Sequence, residues 1–318
     1  MAEHTHEEVV AYIENLVAEA KKAQKEFYAN FKDQHSVDAV VRAAGMWISV
    51  HGNDLARAAV GETGMGNMQG KIQKMELAAL SQWNQSKGKP SVGVIEDRNE
   101  PGVKVLCKPM GIIGCVIPST NPIATVIANS MMAFKCRNAV VIAGHPASAH
   151  VSNLTAKYIA DAVEAVGAPR GIIQYIDAEW ASIDATKTLL ALCDANLATG
   201  GAGMVKSVYS AGRPAFGVGQ GNCQDIVDEE YPNFNNVATN CIMNRSFDQG
   251  VPCTGDQNII YPLEREEEMM TAMKSAGAFM LEKKQDIDAF RRFMVACAAR
   301  TGQMLNCSAI AREIGKDV

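Results

Sequence analysis

The chain is expected to be an α/β protein: a doubly wound parallel sheet, preceded by a layer of helices and followed by the start of a second α/β domain. Three observations carry this. From Lys104 to about residue 230, short apolar runs alternate with amphipathic stretches of helix length. Those runs are apolar throughout rather than at every second position. The residues before Trp83 show helical periodicity instead. Strands covered on both faces lose their in-and-out alternation, and such strands alternating with helices mark βαβ units.

From Glu7, "EEVVAYIENLVAEAKKAQKEFYANF" and "VDAVVRAAGMWISVHGNDLARAAVGETG" repeat apolar positions at spacings of three and four, which predicts helices to about Trp83. "GETGMGNMQG" has the glycine content of a phosphate loop, but no strand precedes it, and a turn between two helices is the better reading. Then "GIIGCVIP", "NAVVIAG", "GIIQYI" and "ANLATG" read as strands. "PIATVIANSMMAFKC", "ASAHVSNLTAKYIADAVEAV", "DATKTLLAL" and "GMVKSVYSA" read as the helices that alternate with them, the last leading into "PAFGVG". After Asn233 the composition shifts to a polar stretch, a strand-like "NIIYP" and two charged helices. The expected division is residues 1–232, N-terminal helices plus the doubly wound domain, and 233–318, the start of a second domain.

Composition narrows the function. A net charge of −5 with pI near 5.7 and no lysine–arginine block offers no footprint for nucleic acid or an acidic membrane surface. The start "MAEHTHEEVV" lacks a signal-peptide pattern, and no long uncharged apolar run occurs, so a cytoplasmic protein with a small-molecule ligand is expected. Nine scattered cysteines without C-x-x-C spacing argue against a disulfide framework and against a zinc site; no metal is expected.

In doubly wound sheets ligands lie at the carboxyl ends of the strands. Four loops fall there: "PSTNP" with Ser119, Thr120 and Asn121; "GHPAS" with His145 and Pro146; "TGGAG" with Gly200, Gly201 and Gly203; and "GVGQGN" with Gly217, Val218 and Gly219. Glycines between a strand and a helix let backbone N–H groups approach a phosphate or nicotinamide at the positive helix end. A tight strand-to-helix turn explains the same glycines equally well. Cys253, in "FDQGVPCTGDQ", follows Gly250 and Pro252, which force an irregular backbone and place the thiol on a loop where it can be presented. A thiolate attacking an aldehyde carbonyl needs an oxyanion donor, and the Asn121 amide is a candidate.

"PMGIIGCVIPSTNP", "NAVVIAGHP", "LATGGAGMVKSVYSAGRPAFGVGQGN" and "FDQGVPCTGDQNIIYP", in this order and spacing, resemble the aldehyde dehydrogenase superfamily. The likeness is strongest to its CoA-acylating branch: acylating acetaldehyde and succinate-semialdehyde dehydrogenases and the aldehyde half of bifunctional aldehyde/alcohol dehydrogenases. The resemblance implies that Cys253 is the nucleophile that carries a thiohemiacetal and then a thioester. It implies that Asn121 and the nucleophile's backbone N–H hold the oxyanion, and that Gly200, Gly201 and Gly203 form the loop for NAD or NADP. It sets His145 where hydrolytic relatives usually carry a lysine near the cofactor's ribose; an imidazole capping the next helix is the competing reading.

Hydrolytic relatives carry "ELGG" where this chain has "GVGQGN", so Gly217 stands in place of their water-activating glutamate. That implies transfer of the acyl group to coenzyme A as co-substrate, interconverting a small aldehyde and its acyl-CoA. Two other readings stay open: a hydrolytic enzyme with a relocated base, and a non-catalytic or truncated subunit. Relatives continue past Val318 into strands that pair between subunits, so a homo-oligomer is implied for a full-length form. Some acylating relatives add a histidine near the thiol, whereas all six histidines here lie in the first half.

Overall fold

The computed structural model describes residues 4–98 and 102–278. They divide into two compact units. Of the described residues, one unit comprises those up to Thr63 and from Asn67 to Gln220, and the other Gly64–Gly66 with those from Gly221 to 278.

The first unit opens with α1 (His6–Asn30), α2 (Gln34–Met46), α3 (Ile48–Thr63) and α4 (Met68–Ser86). The starts of α1, α2 and α4 are set by side chains that satisfy the free N–H groups of a first turn. Thr5 and Glu8 form a reciprocal capping box on α1. Asp33 accepts from Ser36 N–H at α2, and Asn67 from Gly70 N–H at α4. Along α1, Val9, Ile13, Ala20 and Phe27 are buried on one stripe, which gives the helix its place against the core.

An antiparallel hairpin follows, β1 (Gly93–Arg98) with β2 (Val103–Cys107). Its strands are short and largely exposed, and β1 reads "GVIEDR", with neither alternation nor an apolar run to announce a strand. Then come β3 (Ile112–Ile117), α5 (Pro122–Lys135), β4 (Ala139–Gly144), α6 (Ala149–Glu164), β5 (Ile173–Tyr175), α7 (Ile183–Leu192), β6 (Ala195–Thr199), α8 (Ala202–Tyr209) and β7 (Ala215–Val218). The strands form one five-stranded sheet in the order β5-β4-β3-β6-β7, parallel throughout. Every residue of β3 and β4 is buried, as unbroken apolar strands require.

The chain moves outward from β3 through β4 to β5, then crosses back to β6 and on to β7. Crossovers in opposite directions place their helices on opposite faces, α5 and α6 on one and α7 and α8 on the other. The reversal lies between β3 and β6. At such a switch point the two following loops diverge and leave a crevice. α2, α3 and α4 add a layer over α5 and α6, and the core runs continuously from Ile13 and Phe27 through Val41 and Phe134 to Ile142 and Ile159.

The second unit contains β8 (Cys223–Ile226), α9 (Phe234–Ser246), β9 (Asp256–Ile260) and α10 (Glu266–Ser275). β8 pairs in parallel with β9, and α9 connects them, so the unit is built on a βαβ element. Its core is Val227, Phe234, Ala238, Met269 and Ala272. The second compact unit takes in "CQDI" because that segment is a strand paired with β9. Of the two charged helices expected beyond "NIIYP", α10 is the first. The second, over residues 286–302, lies outside the described residues.

Candidate functional site

In a parallel sheet all carboxyl ends share one edge, and all four expected loops of the first unit lie along it. Ser119, Thr120 and Asn121 follow β3; His145 and Pro146 follow β4; Gly200, Gly201 and Gly203 follow β6; Gly217 and Val218 end β7, with Gly219 next. The first and third of these flank the β3/β6 reversal. Gly200 N–H donates to the Val218 carbonyl at 3.0 Å, which ties the third loop to the fourth.

The glycine loop leads into the N-terminus of α8, with Gly201 as its N-cap. Around the position of a β-carbon on Gly201 or on Gly203 no atom lies within 4 Å apart from the adjoining residues and the helix's own backbone, so that side of the loop is open to a ligand. Gly200 is glycine for a different reason: Met204 folds back over it, 3.2 Å from where a β-carbon would stand. The residues present therefore fit a dinucleotide's phosphate or nicotinamide portion, with N–H groups and a positive helix end unobstructed by side chains.

His145 sits at the N-cap of a short 3-10 turn, and its Nδ1 accepts from Ala147 N–H at 3.1 Å. His145 therefore caps this turn, whereas α6 itself starts from Ser148. Accepting at Nδ1 places the proton of the neutral ring on Nε2.

Gly217 has no spare room. A β-carbon there would lie 2.9 Å from Tyr209 Cε2 and 3.0 Å from Val205 Cγ1, and its N–H donates to Tyr209 Oη at 3.0 Å. A glutamate in this register would collide with α8. The next residue, Val218, is exposed. The alternation along β7 explains the difference: Gly217 turns toward α8 and Val218 away from it.

Asn121 caps α5 by position but not by bonding; its side chain makes no capping hydrogen bond. Instead Oδ1 accepts from Lys74 Nζ at 2.8 Å, and Nδ2 donates to Thr120 Oγ1 at 3.3 Å. Lys74 Nζ also donates to the Thr120 carbonyl at 3.3 Å. Lys71 and Lys74, one turn apart on α4, line a small cleft with Met75 and Asn121–Ala124. Local sequence pattern does not mark Lys74 as part of a site. Its only local signal was a second lysine, three residues after Lys71, on a helix whose intervening faces carry Met75 and Ala79.

In the second unit Cys253 occupies the tip of a turn from Pro252 to Gly255, closed by Gly255 N–H donating to Pro252 O at 3.2 Å. The approach is irregular, as its glycine and proline imply: Asp248, Gln249 and Gly250 are three consecutive residues with positive φ (46°, 58° and 72°). Asp248 is buried. Among the seven described cysteines Cys253 alone is exposed; Cys297 and Cys307 lie outside the described residues. Burial pushes the Cys115 thiol up to about 12. Cys241 is pushed up to about 12, by burial first and the Asp225 carboxylate second, and burial also raises Cys193.

Cys241 Sγ donates to Asp225 Oδ2 at 3.6 Å, and Asp256 stands within the same cluster, its carboxyl raised by burial and by Asp225. Asn244 Nδ2 donates to Asp256 Oδ1 at 2.6 Å, so the cluster is knitted to α9. No helix among the described residues is long and apolar enough to cross a membrane.

A doubly wound domain with open glycines at its switch point, and a separate unit presenting one exposed thiol on a turn, match a known class. The chain belongs to the aldehyde dehydrogenase family, whose model matches residues 2–287. Within that family its similarity is to acylating enzymes. It is 38% identical over 88% of its length to a succinate-semialdehyde dehydrogenase (acetylating) of Clostridium kluyveri, of which it spans 60%. An acetylating aldehyde dehydrogenase from Geobacillus thermoglucosidasius has the same fold, with a TM-score of 0.88 at 32% identity, over 100% of this chain and 70% of that one. A Rhodopseudomonas palustris propionaldehyde dehydrogenase, solved with bound CoA and an acylated cysteine, superposes with a TM-score of 0.77 at 26% identity, over 96% and 70% of the two chains.

Proposed function

We propose that the chain carries the thiol and dinucleotide sites of an NAD(P)-dependent, CoA-acylating aldehyde dehydrogenase that interconverts a small aldehyde and its acyl-CoA. The observation that carries this is Cys253: the exposed cysteine among the described residues, on a turn entered through three residues of positive φ, in a family whose acylating members resemble it.

The Cys253 thiolate attacks the aldehyde carbonyl, its sulfur forming a C–S bond as the C=O π pair moves onto oxygen, giving a thiohemiacetal; Asn121 Nδ2–H is the donor that the family resemblance assigns to that oxygen. Gly201 and Gly203 are the residues that would hold a nicotinamide dinucleotide, which would supply a hydride acceptor. The resulting thioester on Cys253 passes its acyl group to the thiol of coenzyme A, which releases the cysteine. Read backward, the first half-reaction is attack of Cys253 on an acyl-CoA with departure of CoA thiol. "GVGQGN" contains no carboxylate, and Gly217 is packed against Tyr209 and Val205, which supports acyl transfer to a thiol over activation of water. A homo-oligomer is part of the same reading.

Intact-protein mass measurement after incubation with propionyl-CoA tests it without requiring full turnover. A single acyl adduct that maps to Cys253 and is absent from Cys253→Ala is the expected result. No adduct, or one that maps to another cysteine, would overturn the reading.

A further inference from the structure

We infer that Lys74 is the positioning residue that sets which way Asn121 presents its amide, an inference that rests on the oxyanion role given to Asn121 above. An asparagine at a helix N-cap ordinarily spends Oδ1 on the N–H of the second or third helical residue. Asn121 does not. Its backbone (φ −137°, ψ 56°) leaves the side chain off the helix end, and Oδ1 goes to Lys74 Nζ at 2.8 Å.

An ammonium group only donates, so the amide atom facing it must be the oxygen. This separates two amide orientations that would otherwise be close in energy. With Oδ1 held, Nδ2 faces the other way. One of its hydrogens makes the long 3.3 Å bond to Thr120 Oγ1, and the other is left for a substrate oxygen. The charge on Lys74 acts a second time: drawing electron density toward Oδ1 makes Nδ2–H a better donor where negative charge develops. The geometry is braced from both sides, because Lys74 Nζ also holds the carbonyl of Thr120, the residue before Asn121. α4 packs along α5, and Lys74 is half-buried in the cleft between them.

The test compares Lys74→Met, which keeps length without a donor, with Lys74→Arg, which keeps a donor, in the full chain. Single-turnover acylation of Cys253 by propionyl-CoA should slow about ten- to a hundredfold in Lys74→Met, with little change in the concentration giving half-maximal rate, and recover in part in Lys74→Arg. An unchanged rate in Lys74→Met overturns the inference. So does an equal loss in both variants accompanied by an equal fall in thermal midpoint, which marks a structural role.

A second readout does not depend on activity. In asparagine-labelled ¹⁵N spectra, the side-chain pair missing from Asn121→Asp identifies Asn121. That pair should shift and broaden in Lys74→Met and stay near its original position in Lys74→Arg. If the unmodified chain is not acylated at all, the proposed function fails and the spectra alone decide the role of Lys74; an unmoved Asn121 pair in Lys74→Met overturns it.

Discussion

The carbonyl oxygen of Cys253 lies 2.5 Å from the point that a β-carbon on Gly221 would occupy. The turn bearing the thiol therefore rests on a stretch of backbone that only glycine leaves clear. Gln257 Nε2 donating to Gly221 O, and Asn258 Nδ2 to Asn222 Oδ1, fasten that stretch on the far side of the turn. Gly221→Ala must move the segment before β8 or the Cys253 turn, at a cost of about 1–3 kcal/mol. Chemical denaturation should show that loss, and the alkylation rate of Cys253 should change severalfold. A variant with unaltered stability and thiol reactivity would contradict the contact.

Cys253 should react with iodoacetamide well before Cys115, Cys193 and Cys241 at pH 8. The last three are buried, and their thiols are held above the ordinary value of 9.0, so almost none of their thiolate exists at that pH. Peptide mapping after limited labelling checks the order; early modification of any of the three would refute it.

The same raised thiols predict the alkaline limb of stability. Between about pH 9 and 12 the unfolded chain loses thiol protons that the folded chain still holds at Cys115 and Cys241. Stability then falls as pH rises through that window, and it is fully present below it. Urea midpoints taken at pH 8 and pH 10 should decrease in that order, and by less in Cys115→Ala, measured against its own value at pH 8.

Asn121→Ala should separate catalysis from stability. Acylation of Cys253 falls by about 10²-fold if one oxyanion donor is lost. Because the side chain makes no cap, the usual N-cap penalty of about 1 kcal/mol is absent. Ser182→Ala is the contrast, since Ser182 Oγ accepts from Ala185 N–H at 3.1 Å to start α7 and should show that penalty in full. Equal destabilisation by the two substitutions would show that Asn121 is a cap after all.

Gly217→Glu tests the packing at the end of β7. Its side chain displaces Tyr209 and Val205 and lowers the thermal midpoint, by an amount equivalent to about 1–3 kcal/mol, whereas Val218→Glu is accommodated. Loss of the Tyr209 phenol–Gly217 contact can be followed by tyrosine fluorescence. A Gly217→Glu variant as stable as the parent would require β7 to be turned the other way.

Much of the fold was legible locally. Unbroken apolar runs such as "GIIGCVI" and "NAVVIAG" exist because both faces of β3 and β4 are buried, and the spacing of helices between them could only close as a doubly wound sheet. Cys253 was legible because Gly250 and Pro252 announce an irregular backbone, and the loops holding Asn121 and Gly200–Gly203 because they end apolar strands. The strand order and the commitment of "CQDI" to β9 were not, since pairing partners far apart in the chain leave no mark on local periodicity, and the β1–β2 hairpin was not because "GVIEDR" neither alternates nor runs apolar. The same holds for the contacts that tune the site. Lys74 meets Asn121 across a helix pair, Tyr209 closes over Gly217, and Gly221 lies under Cys253. Sequence patterning determined which residues are apolar, which turns are forced and which thiol is offered; tertiary packing alone decided which neighbour faces each of them, because that depends on topology and register, and these are properties of the whole chain.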